Sequence, residues 1–387
     1  MKIYNKSEWK KVKLGDICEV VTGSTPLKKI KEYWDKNEVP FITPPELKYE
    51  GINYITPSIF VSKIGSNHGR IIPKNSICVC CIGSLGKLGI LKEDSITNQQ
   101  INSLILKNEN VDLLYLYFYL KTIKNNLESI ASSTTVKIIN KSSFEKIEIS
   151  LPNLEIQKKI SKKLELLENN IDFRKNQLNY LKELNKSLFT RMFGDIKTND
   201  KNWKIVKLEK YINIIGGYAF KNIDFKSSGI PLIRIGNINS GQFKSTNLVF
   251  IEENKKFEKF KVFPNDIIIS LTGTVGKDDY GNACILGDSY SEYYLNQRNA
   301  KIELTDKINK NFFLEIMKIK EVKKKLTGIS RGIRQANISN KDIYNLSLPL
   351  PPIELQNKFA ERIEKIEKLK FIKKISLFPK EKKEVVA

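Results

Sequence analysis

Segments from the first half of this chain return, in the same order, in the second. WKKVKLGDI at 9–17 returns as WKIVKLEKY at 203–211, VPFI at 39–42 as IPLI at 230–233, and IIPKNSI at 71–77 as VFPNDII at 262–268. IGSLGK at 82–87 then matches TGTVGK at 272–277, TNQQ at 97–100 matches LNQR at 295–298, and SLPNLEIQKKI at 150–160 matches PLPPIELQNKF at 349–359. The separation stays within roughly 190 to 200 residues, a drift that loop insertions produce between duplicated domains. At 387 residues the chain also exceeds one ordinary core, so the expected architecture is two copies of one unit.

Each copy opens with about 140 residues broken by Gly, Pro and Asn around short β-branched runs such as ICEVV, SICVCCI, DIIISL and NSLILK, which read as strands of a β-rich domain. Helices are expected over 111–127 and 309–326. Each copy then closes with a longer helix. Pro152 and the pair Pro351 and Pro352 mark its start, and Glu155 or Glu354 falls in the first turn, where the helix dipole favours an acid. From about 153 to 193, Ile156, Ile160, Leu164, Leu167, Ile171, Leu178, Leu181, Leu188 and Met192 recur at steps of three and four. Phe359, Ile363, Ile366, Leu369, Ile372 and Leu377 continue the pattern in the second copy. A rod of about forty residues is roughly 60 Å long, more than one small domain covers, so the two stripes are expected to cover each other. The fold class that follows is α+β: two β-rich domains related by pseudo-two-fold symmetry, separated by two long antiparallel coiled-coil helices.

A net charge of +23, from 66 Lys and Arg against 43 Asp and Glu, attracts a polyanion, and nucleic acid is the default one. A Lys-, Asn- and Ile-rich vocabulary is what an AT-rich genome would write anywhere, but the imbalance is large after that discount. The most apolar run, VDLLYLYFYL at 111–120, carries Asp112 and reads as a buried helix, not a membrane span. The first residues lack the apolar segment of a signal peptide, so a cytoplasmic location without a membrane partner is expected. Five cysteines without paired Cys-x-x-Cys spacing and a single histidine, His68, supply neither a zinc site nor a His-dependent nucleophile, and no metal or cofactor is expected. Cys78 and Cys80 read as small apolar positions of a strand.

The doubled Gly-x-x-Gly-Lys invites comparison with a nucleotide-binding loop. That loop needs four residues between its glycines and Ser or Thr after the lysine, whereas two residues intervene here and Leu88 or Asp278 follows. Gly83 with Gly86, and Gly273 with Gly276, read instead as tight turns at strand ends. Intrinsic catalysis is poorly supplied. TPPE at 43–46 lacks both the polar first residue and the aromatic last residue of an adenine methyltransferase motif. Asp35 with ELK at 46–48 fits a metal nuclease only formally, without a match in the second copy.

Two variable domains, each followed by a helix opened by LPNLEIQ or LPPIELQ, with the first helix ending SLFTRMFGD at 187–195, resemble the specificity subunit of type I restriction–modification systems. The resemblance covers nearly the whole chain. It implies a non-catalytic subunit whose target-recognition domains, 1–151 and 195–350, each read one half of a split, asymmetric site in double-stranded DNA. Helical spacers at 152–194 and 351–387 would dock two modification (adenine methyltransferase) subunits and the restriction (helicase-nuclease) subunits. Candidate docking residues are Ile160, Leu164, Leu167, Phe173, Tyr180, Phe189, Phe359, Ile363 and Ile366, with Phe173, Tyr180 and Phe189 expected on outer faces. The chain departs from the pattern by ending in SLFPKEKKEVVA without a second RMFGD. The competing reading is a stand-alone DNA-binding or architectural protein.

Residues that read DNA are sought among Arg, Lys, Asn, Gln and small hydroxyls in loops. GSTPLKKIK at 23–31 offers Ser24, Thr25, Lys28 and Lys29, and its counterpart GYAFKN offers Tyr218 and Lys221. Arg70 lies in SNHGR, and Arg234 opens RIGN. Lys87 and Lys277 follow the glycine turns. Asn98 and Gln99, and Asn296, Gln297 and Arg298, come from stretches whose amides suit adenine edges. SSTTVK adds Thr134 and Lys137, and SRGIRQ adds Arg331, Arg334 and Gln335; the family resemblance places this last stretch in the recognition domain.

Overall fold

In the computed structural model, residues 9–132, 136–328 and 335–377 are described, and the chain divides into two units, residues 1–176 and 177–387. In the first unit, Cys18–Thr22, Ile101–Leu106, Ile77–Cys80 and Leu88–Ile90 lie side by side in that order as an antiparallel sheet. Ile212–Gly216, Asn299–Leu304, Ile267–Ser270 and Ala283–Ile285 build the same sheet in the second. Each unit adds a second sheet containing one parallel pairing, Phe41 beside Ile96 in the first and Leu232 beside Tyr294 in the second, among antiparallel neighbours. The repeat legible in sequence is therefore a repeat of topology.

The run ICVC is apolar throughout because its strand is buried on both faces. Ile77 and Val79 enter one core with Val20, Leu104, Leu116 and Tyr117, while Cys78 and Cys80 enter another with Ile42, Leu47 and Ile101. Burial pushes the thiols of Cys78 and Cys81 up to about 12, so they pack as neutral apolar groups. In the second unit Ile267 and Ile269 likewise face one core and Ile268 the other.

The helices expected over 111–127 and 309–326 are each broken in two: Leu113–Thr122 then Lys124–Ile130, and Lys310–Met317 then Lys320–Thr327. Ile123 and Ile319 leave the helical conformation, which turns Leu127 in one unit, and Val322 and Leu326 in the other, into the same core as the preceding helix. Asp112 and Asn309 cap the first members of these pairs, accepting the N–H of Tyr115 at 2.8 Å and of Asn311 at 2.9 Å.

The long helices span Leu154–Phe193 and Ile353–Leu377, with Glu155 and Glu354 in their first turns as expected. Within the second unit the end of the first runs antiparallel to the second. Asn185 Nδ2 donates to Glu367 Oε1 at 2.9 Å, and eight residues further along, the rings of Phe193 and Phe359 are 5.1 Å apart. Phe189 and Phe312 join them, stacked at 5.8 Å. The two stripes meet at this end, as expected, and open away from it. Leu167, Leu369 and Ile372 are 59%, 47% and 60% exposed. At Phe189 and Phe359 the helix Lys310–Met317 supplies Phe312 and Phe313 as a third wall, and further along two helices alone do not enclose the seam. No described helix is long and apolar enough to cross a membrane.

Candidate nucleic-acid interface

In the first unit the strand Cys18–Thr22 ends where Ile101–Leu106 begins and Ile77–Cys80 ends, so three loops leave one end of the sheet together. Gly23 closes this end. Its N–H donates to the Ile101 carbonyl at 3.1 Å, and a Cβ there would lie 2.2 Å from the Asn98 carbonyl oxygen, so only glycine lets the chains pass. Beyond it Thr25 Oγ1 donates to Gln99 Oε1 at 2.6 Å, and Arg70 reaches back to the Thr22 carbonyl, also at 2.6 Å. Asn98 is buried and locks its own loop: Oδ1 accepts the Gln100 N–H at 3.1 Å and Nδ2 donates to Gln100 Oε1 at 3.0 Å.

The glycine turn leaves from the same end. The Cys81 N–H donates to the Gln100 carbonyl at 2.8 Å, the Gly83 N–H to the Lys137 carbonyl at 3.0 Å, and the Cys80 N–H to the Lys87 carbonyl at 2.9 Å. The five stretches that carry Ser24 and Thr25, Arg70, Lys87, Asn98 and Gln99, and Lys137 therefore meet at one end of the sheet. Lys87 lies 5.7 Å from the Tyr49 ring centre, with Lys124 over the same ring at 4.1 Å, and Lys137 pairs with Glu128 at 3.4 Å. Lys28 and Lys29 are exposed on the turn after Pro26.

The second unit repeats the arrangement with other side chains. A Cβ on Gly217 would lie 2.3 Å from the Asn296 carbonyl oxygen, and Tyr218 is zipped in by two bonds of 2.9 Å, its N–H to Leu295 and its carbonyl from Gln297. The Leu271 N–H donates to the Arg298 carbonyl at 2.9 Å. Arg234, Asn296, Gln297 and Arg298 line one groove of about 600 Å³ with Phe220, Asn237 and Lys244. Lys221 is exposed at the mouth of its loop, its N–H donating to Asp224 Oδ2 at 2.8 Å.

Both glycine turns are turns, for reasons that differ by position. Gly83, Gly86 and Gly276 hold φ of 77°, 75° and 78°, the left-handed region that favours glycine. Gly273 does not; it lies in the strand Thr272–Thr274, where a Cβ would meet Asp279 Oδ1 at 2.4 Å. Thr274 pairs with the backbone of Gln335, and Lys277 is exposed at the tip of the turn. Thr134, Arg331 and Arg334 lie outside the described residues.

Several expectations about the helices need correcting. Phe189, expected on an outer face, is 4% exposed inside the phenylalanine cluster, and Phe359, Ile363 and Ile366 are also core. Ile160 and Leu164 are half-buried, Leu164 against the first unit's core. Phe173 and Tyr180 are exposed, at 57% and 75%. Glu46, one of the three residues of the formal nuclease pattern, caps a turn: its Oε2 accepts from the Thr43 N–H at 3.0 Å and Thr43 Oγ1 at 2.7 Å, and Oε1 from Ser58. Burial opposes its charge, but these hydrogen bonds outweigh it and hold the carboxyl below its ordinary value.

Two features escaped sequence reasoning. Asn237 shapes the groove, accepting from the Arg234 N–H at 3.0 Å and donating to the carbonyls of Lys244 at 3.0 Å and Thr246 at 3.1 Å. Beside Tyr218 stand Phe220, Phe257 and Phe260, with Lys256 and Lys259 at 4.5 Å and 5.1 Å from the last two ring centres. The alternation KKFEKF at 255–260 was the available signal.

The family model described as the type I restriction modification DNA specificity domain matches the chain twice, over residues 6–183 and 200–377. The type I restriction enzyme MjaVIII specificity subunit of Methanocaldococcus jannaschii is 29% identical over 390 residues, covering 95% of this chain and 88% of that protein. The type I restriction enzyme EcoBI specificity subunit of Escherichia coli is 26% identical over 306 residues, covering 71% and 63%. Among solved structures, the type I restriction–modification S subunit from M. genitalium superposes with a TM-score of 0.61 at 17% identity, covering 97% of this chain and 94% of the other, a likeness of fold.

Proposed function

The chain belongs to the family defined by the type I restriction modification DNA specificity domain, and from that premise we propose that it is the non-catalytic subunit that reads a bipartite, asymmetric DNA target. The carrying observation is the doubled loop end. The same backbone frame occurs in both units, carrying Ser24, Thr25, Arg70, Lys87, Asn98, Gln99 and Lys137 in the first and Tyr218, Arg234, Asn296, Gln297 and Arg298 in the second. One frame with two sets of side chains suits two half-sites of different base content, because phosphate contacts position a protein while base contacts specify. The segments 1–151 and 195–350 are the two readers in this proposal.

In this reading the spacers at 152–194 and 351–387 bring an adenine methyltransferase, as two modification subunits, and the restriction subunits to the bound site. Exposed Leu167, Phe173 and Tyr180 are the residues proposed to be covered there, since large apolar groups bared along a helix favour a protein partner. The chain would act in the cytoplasm, where the chromosome is reached. The test is methylome sequencing of a methylation-free host expressing the chain with its modification subunit, and each alone. Adenine methylation at one split, asymmetric motif only when both are present is the expected result. The same motif marked without this chain, or none marked with both, would return the protein to the stand-alone DNA-binding reading.

A further inference from the structure

Gln100 and Arg298 occupy the same socket. Each carbonyl accepts the N–H that follows the central strand, from Cys81 at 2.8 Å and from Leu271 at 2.9 Å. Each N–H donates to the side chain of the preceding asparagine, Asn98 at 3.1 Å and Asn296 at 3.3 Å. The side chains then part. Gln100 is turned inward onto Asn98 Nδ2, whereas Arg298 is exposed and its guanidinium has no hydrogen bond or ion pair among the described residues.

Arg298 shares its groove with Arg234, and the two are not equivalent. Arg234 is part of the wall: its NH2 donates to the Asn247 carbonyl at 3.0 Å and its guanidinium carbon stands 5.7 Å from the Phe225 ring centre. Among the described residues Arg298 is a free fork on a pinned backbone. Its being arginine is informative in this chain, which contains 58 lysines and only 8 arginines. A lysine, such as Lys244 in the same groove, offers a point charge. A planar fork of paired donors is what distinguishes arginine, and it matches the adjacent O6 and N7 acceptors of guanine in the major groove.

We infer that Arg298 reads a guanine, and that the half-site recognised by the second unit contains a G·C pair at that position. The inference rests on the proposed function. The experiment is methylome sequencing of the chain with its modification subunit, as wild type, Arg298→Gln and Arg298→Lys, with DNA binding of the purified complexes measured against salt. Wild type should mark a split motif with a G·C pair in one half. Both variants should lose discrimination at that one pair by about tenfold or more, leaving the other half unchanged. Arg298→Lys keeps the charge, so a phosphate role predicts that it behaves as wild type. A motif read equally well by both variants, or a uniform weakening across all sequences with a shallower salt slope in Arg298→Gln alone, would overturn the inference. A wild-type complex that marks no split motif would sink the proposed function, and the inference with it.

Discussion

Gln157 bridges the start of its helix to Asp112: its Oε1 accepts the Asp112 N–H at 2.8 Å while Nε2 donates to the carbonyls of Asn110 at 3.1 Å and Pro152 at 2.8 Å. Gln356 does the same in the second unit with Asn309 at 2.9 Å, Lys307 at 3.2 Å and Pro351 at 2.8 Å. Both side chains are fully buried, so the glutamine of the repeated boundary motif fastens each long helix to the capped helix of its own domain. Gln157→Leu or Gln356→Leu strands three backbone groups, each costing about 1–3 kcal/mol when buried and unpaired. We predict a loss of about 3 kcal/mol, read from urea unfolding; a loss well under 1 kcal/mol would mean that these groups find other partners.

Phe189 and Tyr180 lie nine residues apart on one helix and should answer to different assays. Phe189→Ala, in the phenylalanine cluster, is expected to cost about 3–5 kcal/mol of stability. Tyr180→Ala should change stability by less than about 0.5 kcal/mol yet weaken retention of the modification subunit. Equal retention by wild type and Tyr180→Ala in a pull-down would remove Tyr180 from the proposed docking face.

Glu46 makes a pH-dependent contribution. Its folded-state pKa lies below the ordinary 4.5, so its stabilisation is complete above that value and is lost as pH falls through the lower folded value. Glu46→Gln should therefore be less stable than wild type at pH 7, and the gap should close under acid. A gap that stays constant from pH 7 into the acid range would contradict the charged-acceptor role.

We propose a phosphate contact for Lys277, which is exposed after the left-handed Gly276. Lys277→Ala is predicted to weaken DNA binding alike for cognate and non-cognate duplexes and to reduce the salt slope by about 1. A change in the methylated motif, with the slope intact, would mean that it reads a base instead.

The sequence determined by itself that the chain is one unit written twice, where each long helix starts, and that its net charge of +23 suits a polyanion. These follow from local and summed properties: repeated strings, proline at a helix start, net charge. It also brought forward loops that meet in the fold, since Thr25, Arg70 and Gln99 come from glycine-bounded polar stretches flanking strand ends. Only the tertiary structure decided which helix residues are bare. Periodicity defines a face, but whether Phe189 or Tyr180 is covered depends on Phe312 and Phe359, supplied from more than a hundred residues away. The same holds for Gln100 and Arg298, which sequence places in matching positions. A hydrogen bond to Asn98 ties one down, and its absence among the described residues frees the other, because side-chain pairing across loops is settled by distance in space.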